Sequence, residues 1–145
     1  DEYGAYGFFN NCERLKTINA PYLPNLKVIG NNFLANTNII NFNFDMSAVE
    51  EIGRYFLYNS LYGDENRIIN IDLKSISSIN MNGFCGSKDY TATPTINLFI
   101  YDFKITYSGW FDNKASCNIY VSNQVGYYKT LFAEHPNINI YEVRD

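Results

Sequence analysis

Cysteine, proline, histidine and tryptophan are scarce in this chain, and each scarcity removes a class of explanation. The three cysteines, Cys12, Cys85 and Cys117, are scattered along its length. They are too few for a disulfide-dense scaffold and too widely spaced for the paired ligands of a zinc site. The one histidine, His135, stands beside Pro136 with no serine or cysteine neighbour suited to a triad. With 11 Lys and Arg against 15 Asp and Glu, the net charge is -4, so no basic footprint exists for a phosphate backbone and nucleic acid is not an expected partner. No apolar run approaches the roughly 18 residues of a bilayer span, so membrane insertion is not expected either. Phosphate-cradling, zincin and EF-hand motifs are absent, as is any Asn-x-Ser/Thr sequon. The carboxylates of Asp45, Glu50, Glu51, Asp64, Glu65 and Asp72 read as solvated turn residues, not as a glycosidase pair. The chain therefore reads as noncatalytic, with no cofactor and no metal, and its start at Asp1 reads as that of a mature or excised piece.

What is present is a repeat. Ile29-Gly30-Asn31-Asn32-Phe33-Leu34-Ala35-Asn36-Thr37 and Ile52-Gly53-Arg54-Tyr55-Phe56-Leu57-Tyr58-Asn59-Ser60 share the pattern Ile-Gly-x-x-Phe-Leu-x-Asn-small, position for position. Looser copies surround Phe8 and Phe84, so that Phe8, Phe33, Phe56 and Phe84 recur at a nearly constant spacing. Short alternating segments follow each copy: Leu15 to Ala20, Ile39 to Phe44, Ile68 to Leu73 and Ile96 to Ile100. Period-two alternation predicts strands. A unit of this length cannot bury its apolar positions alone, so copies must stack and share a core. Two internal ladders are expected, one of Phe8, Phe33, Phe56 and Phe84 and one of Ile18, Phe42, Ile71 and Leu98. Gly30 and Gly53 are expected to supply a tight turn or a positive φ, and Asn11, Asn36 and Asn59 to bond neighbouring backbone. Cys12, Thr37 and Ser60 share one small-residue slot; Cys85 shares another with Leu34 and Leu57, and a disulfide from Cys85 to Cys117 is an open alternative to two buried thiols.

Several of these residues carry a resemblance. Asn11-Cys12-Glu13-Arg14-Leu15, then Lys16-x-Ile18, Pro21 and Leu26-Lys27-x-Ile29-Gly30-x-x-Phe33, resemble the BspA-like leucine-rich repeat family, and so does the ending Cys117 to Val121, Val125-x-x-Tyr128-Lys129 and Ile138-x-Ile140. The resemblance implies an α/β repeat fold. Residues 1–116 would form a solenoid of four to five coils, with parallel strands on one face and irregular or short helical turns on the other. Residues 117–145 would form a continuous C-terminal helix-strand cap. It also implies an adhesive or recognition module of a bacterial or phage surface, extracellular or on a virion, binding a protein or glycan and belonging to a longer polypeptide or larger assembly. A structural assembly module of a virion or cell-surface complex is the alternative.

Two local signals predict helix. Ser47-Ala48-Val49-Glu50 is a capping box and predicts a turn or two. Ser122 is placed to cap a helix over 124–133 that stops before Pro136, with a last strand from Ile138 to Tyr141.

Alternation also names a candidate surface. If Ile18, Phe42, Ile71 and Leu98 point inward, then Thr17, Asn19, Asn41, Asn43, Asn70, Asp72, Asn97 and Phe99 point outward, with Tyr101 nearby. Asparagine forms strands poorly, so its recurrence there reflects either side-chain stacking along the sheet or hydrogen bonding to a ligand. A second candidate is the edge formed by the insertions at 61–67 and 88–94, which offer Tyr62, Arg67 and Tyr90 as contacts.

Overall fold

The structure, a computed structural model, describes residues 8–60, 67–86, 95–106 and 116–143. The described residues wind into a parallel-strand β-solenoid of about four turns with one short helix. Longer strands line one side: β1 (Thr17–Ala20), β3 (Asn41–Phe44), β5 (Ile68–Asp72), β7 (Thr95–Tyr101), β8 (Ser116–Val121) and β9 (Ile138–Glu142). A second side carries the two-residue strands β2 (Val28–Ile29), β4 (Glu51–Ile52) and β6 (Ser78–Ile79). Among the described residues every pairing is parallel, in three ladders ordered β1-β3, β2-β4-β6 and β5-β7-β8-β9. Between these short strands the described residues make irregular turns, one of the two forms expected there, and the helical turn expected at the capping box is not formed. Asp45 forestalls a helix at the capping box by taking both the backbone N–H and the hydroxyl of Ser47, at 3.0 and 2.6 Å, and the backbone N–H of Leu23 at 2.8 Å. These donors, led by Leu23, hold the Asp45 carboxyl below its ordinary pKa.

Inward positions follow the alternation. Ile71 and Leu98 are fully buried, while Ile18 and Phe42 in the first coils are half-buried against the same core. The phenylalanine ladder runs Phe33, Phe56, Phe84, with rings stacked at 5.9 Å and 5.4 Å. Phe8 does not join it and stands 70% exposed, because it lies in the first described coil. Cys12 is exposed for the same reason, whereas its counterparts Thr37 and Ser60 are buried. Cys85 and Cys117 are buried free thiols, and burial pushes both well up from the ordinary thiol range.

The turns around the phenylalanines stack by a backbone device that the sequence does not announce. Left-handed φ falls on alternate residues, Asn32, Leu34 and Asn36 in one coil and Tyr55, Leu57 and Asn59 in the next, not on Gly53. Each such residue turns its N–H along the solenoid axis. Asn32 donates to Arg54 (2.8 Å) and Asn36 to Tyr58 (2.8 Å) in the following coil, while Leu34 donates to Phe8 (3.1 Å) in the preceding one. Tyr55 and Asn59 reach forward to Asn82 and Gly86, and Leu57 reaches back to Phe33. A leucine in this conformation costs about 1–2 kcal/mol, offset here by full burial and by a hydrogen bond to the neighbouring coil. Asn59 also bonds Asn36 side chain to side chain at 3.2 Å. Gly53 is required by close approach, since a Cβ there would lie 2.5 Å from the Asn31 side chain and 2.9 Å from its backbone nitrogen.

The chain finishes with β8, α1 (Val125–Leu131) and β9. Ser122 does not cap α1: Gln124, in left-handed conformation, occupies the N-cap with no side-chain hydrogen bond. The helix is instead fixed by two tyrosines, Tyr127 donating to the Ile105 carbonyl (2.9 Å) and Tyr128 to the Phe103 carbonyl (2.8 Å) while accepting the Ile105 N–H (3.0 Å). No described helix is long and apolar enough to cross a membrane.

Candidate functional site

The outward residues of the long strands form two parallel columns on one face. Strand register sets Asn70, Asn97, Asn118 and Asn139 side by side, and their amides bond in series. Asn97 donates to Oδ1 of Asn70 (2.9 Å), Asn118 to Asn97 (2.9 Å) and Asn139 to Asn118 (3.3 Å). The first two strands repeat the arrangement, Asn43 donating to Asn19 (2.7 Å) and Asn41 to the Thr17 hydroxyl (3.3 Å). The structural reading of the asparagines is therefore met directly, because each amide satisfies its neighbour. A ladder amide still keeps one N–H and one acceptor lone pair facing outward.

Two positions further along each strand lies an aromatic column. Phe99 stacks on Tyr120 with centroids 4.3 Å apart and planes at 10°, and Tyr120 stacks on Tyr141 at 5.3 Å. Because the rings stack along the solenoid axis, their faces cover one another and their edges and hydroxyls point outward. Tyr101 sits beside Phe99 at 6.5 Å, where a register shift between Phe99 and Tyr101 bends the end of β7. Asp72 lies opposite Phe99, its Oδ1 buried and without a hydrogen-bond partner.

Asn41, Asn43, Asn70, Asp72, Asn97, Phe99 and Tyr101 are thus brought onto one face. Asn118, Tyr120, Asn139 and Tyr141 belong to it as well, beyond the residues expected there. Their signal is in the chain: Ile69-Asn70-Ile71-Asp72 recurs as Ile96-Asn97-Leu98-Phe99, Cys117-Asn118-Ile119-Tyr120 and Ile138-Asn139-Ile140-Tyr141. Extending the Phe-centred repeat past Phe84 obscures it, because the last two copies keep only the strand.

The insertion edge fares differently. Tyr62 and Tyr90 lie outside the described residues. Arg67 is not an exposed contact; it is 7% exposed and its guanidinium donates to the Ile39 carbonyl. That bond falls where β3 and β5 are neighbours but are not paired, and where the amide ladder is interrupted between Asn43 and Asn70. Arg67 therefore fastens a seam. Among the described residues no cluster of His, Cys, Asp and Glu could hold a metal ion.

Among the described residues the two columns carry one charged side chain, Asp72, and otherwise hydrogen-bond through amides and phenols. Chemically the face can meet a polar, neutral surface over several strands at once. No family model, no curated protein and no solved structure matches this chain.

Proposed function

We propose that the chain is a noncatalytic recognition module whose strand face binds a neutral, hydroxyl-rich ligand, a glycan in preference to a protein surface. The observation that carries this reading is the pairing of the Asn70, Asn97, Asn118 and Asn139 ladder with the Phe99, Tyr120 and Tyr141 column on one exposed side. Preorganised amides lose little side-chain entropy on binding, which favours a rigid ladder over free asparagines as a recognition surface. Since the inner ring faces are already covered, the aromatic column contributes edges and hydroxyls, and hydrogen bonding dominates over ring-on-sugar stacking. Membership of the BspA-like leucine-rich repeat class, and a setting outside the cell, at its surface or on a virion, belong to the same proposal and rest on the resemblance of residues 11–33 and 117–140.

The test is a glycan array probed with the chain and with a variant carrying Asn97→Ala and Asn118→Ala. Those substitutions remove outward amides while leaving the inward Ile96, Leu98, Cys117 and Ile119 in place, so the fold is retained. The chain should bind a defined subset of the array, and the double variant should bind it at least about tenfold more weakly, the loss of one or two modest hydrogen bonds per site. Equal binding by the variant would remove the ladder as the site.

A further inference from the structure

The four amides of the ladder are oriented alike. Asn97 donates to Asn70, Asn118 to Asn97 and Asn139 to Asn118, so each rung repeats the last by a shift of one strand. Every rung therefore offers at least one outward N–H and one acceptor lone pair, at intervals of about 4.8 Å, the spacing of paired strands. Asn70 and Asn139 are exposed, and Asn97 and Asn118 are half-buried between them. The aromatic column keeps the same step, with Phe99, Tyr120 and Tyr141 each two positions beyond a rung.

A surface that repeats by translation is matched by a ligand that does the same. A lone terminal sugar covers roughly one or two strand intervals and leaves the other rungs unused. An extended β-1,4-linked chain of pyranoses advances by close to one strand interval per sugar. Its successive sugars face opposite ways, and an amide, being both donor and acceptor, meets the hydroxyls of either edge. An α-1,4-linked chain of the same sugars turns at each link and leaves the line of rungs. Charge sets the remaining limit. Among the described residues Asp72 is the one charged side chain of the two columns, and with a net charge of -4 it opposes an anionic polysaccharide and leaves a neutral one unopposed.

From this periodicity we infer that the ligand is a neutral β-1,4-linked polysaccharide lying along the solenoid axis, one sugar to a strand, across β5, β7, β8 and β9. The inference rests on the glycan reading above and adds the linkage and the direction of the bound chain. The two columns are two residues apart along each strand, about 7 Å, so one pyranose ring bridges them. Its hydroxyls on one edge meet the amides, and those on the other edge meet the aromatic column with the Tyr120 and Tyr141 phenols. Binding strength then depends on how many consecutive rungs a chain covers, because the entropic cost of docking arises once and each further sugar adds its own contacts.

The test is a nuclear magnetic resonance titration of the unmodified chain with β-1,4-linked oligomers of glucose, of mannose and of N-acetylglucosamine, from two to six sugars long. Oligomers of α-1,4-linked glucose of the same lengths are run beside them. At least one β-linked series should bind, with affinity rising by roughly two- to tenfold for each sugar added up to four, the gain of one hydrogen bond per rung. The α-linked series should show no such rise. A second measurement places the bound chain. Asn139→Ala leaves Asn70, Asn97 and Asn118 as rungs, so a disaccharide should keep its affinity within about twofold while a tetrasaccharide loses roughly two- to tenfold. Affinity independent of length, an α-linked series that binds as well as the β-linked one, or a loss in Asn139→Ala that is equal for both lengths or absent from both would overturn the inference. Should Asn139→Ala fail to fold, the length series on the unmodified chain decides alone. The two readings fail separately. A chain that binds other glycans on the array but none of the β-1,4 series refutes the axial ligand and leaves the glycan reading standing, whereas a chain that binds no glycan in either assay refutes both.

Discussion

Replacing Phe56 with alanine is expected to destabilise the chain by about 3–5 kcal/mol, the range for emptying a fully buried aromatic site whose surroundings cannot collapse. Phe56 is completely buried and its ring is held on both faces, by Phe33 at 5.9 Å and by Phe84 at 5.4 Å, with Phe42 edge-on at 6.4 Å. Truncation removes these ring contacts and leaves a void between coils whose backbones are already bonded to each other. In a chain of this size the loss lowers the melting temperature by roughly 6–20 °C. Phe33→Ala should cost less, about 2–3 kcal/mol, because one side of that ring already borders the open N-terminal cavity. Urea unfolding of the two variants measures the difference; a larger loss at Phe33 than at Phe56 would contradict the stacking order.

A glycine pair gives the second large effect, and the two members should move in opposite directions. Gly53→Ala places a methyl group 2.5 Å from the Asn31 side chain and 2.9 Å from the backbone of Asn31 and Gly30, so two coils must separate. Overpacking against backbone costs about 1–3 kcal/mol, with the upper end expected because the obstacle belongs to the axial hydrogen-bond network and cannot rotate away. Gly126→Ala, in the first turn of the terminal helix, meets nothing within 4 Å. There the substitution should stabilise by about 0.4–1 kcal/mol through the lost freedom of the unfolded chain. Thermal melts of both variants test the contrast. No loss of stability at Gly53 would mean that the coils do not approach as described, and a loss at Gly126 would mean that its surroundings are not open.

The repeat is legible because its physics is simple. Alternation in Asn41-Phe42-Asn43-Phe44 and Ile68-Ile69-Asn70-Ile71 determines which side faces the core, and recurrence at a near-constant spacing requires the copies to stack. Parallel strands, the inward Ile71 and Leu98, and the closing helix and strand follow from those two facts. The second side is not legible, because a capping box is only a local preference; Asp45, two positions before Ser47, takes the Ser47 N–H, the Glu50 N–H goes to the Lys27 carbonyl of the preceding coil (2.8 Å), and the segment makes a single turn closed from Val49 to Met46. The turns mislead at the glycines. Ordinary steric argument puts left-handed conformation on Gly53, yet it falls on Leu57 and Asn59, where hydrogen bonds to two neighbouring coils outweigh the local cost. No single-residue preference reports such a bond.

The candidate face is half legible. Asparagine at outward strand positions marks Asn41, Asn43, Asn70 and Asn97, but the last two rungs, Asn118 and Asn139, lie in strands that lack the phenylalanine turn identifying the earlier copies. Counting the apolar-Asn-apolar triplet instead of the whole unit finds them. Arg67 misleads because it closes an insertion, and insertions suggest exposure; the open Ile39 carbonyl at an unpaired strand junction draws its guanidinium inward instead.

The central claim is an in-register parallel array with a continuous outward ladder through Asn70, Asn97, Asn118 and Asn139. Nuclear Overhauser spectroscopy on the chain with labelled asparagine side chains tests it most directly, because neighbouring strands place those amides within hydrogen-bond reach although they are far apart in sequence. The account predicts cross-peaks from Asn70 to Asn97, Asn97 to Asn118 and Asn118 to Asn139, and none from Asn70 directly to Asn139. Absence of the three neighbouring contacts in a folded sample, or contacts shifted to Asp72, Phe99 or Tyr120, would contradict the register on which the candidate face and the buried core both depend.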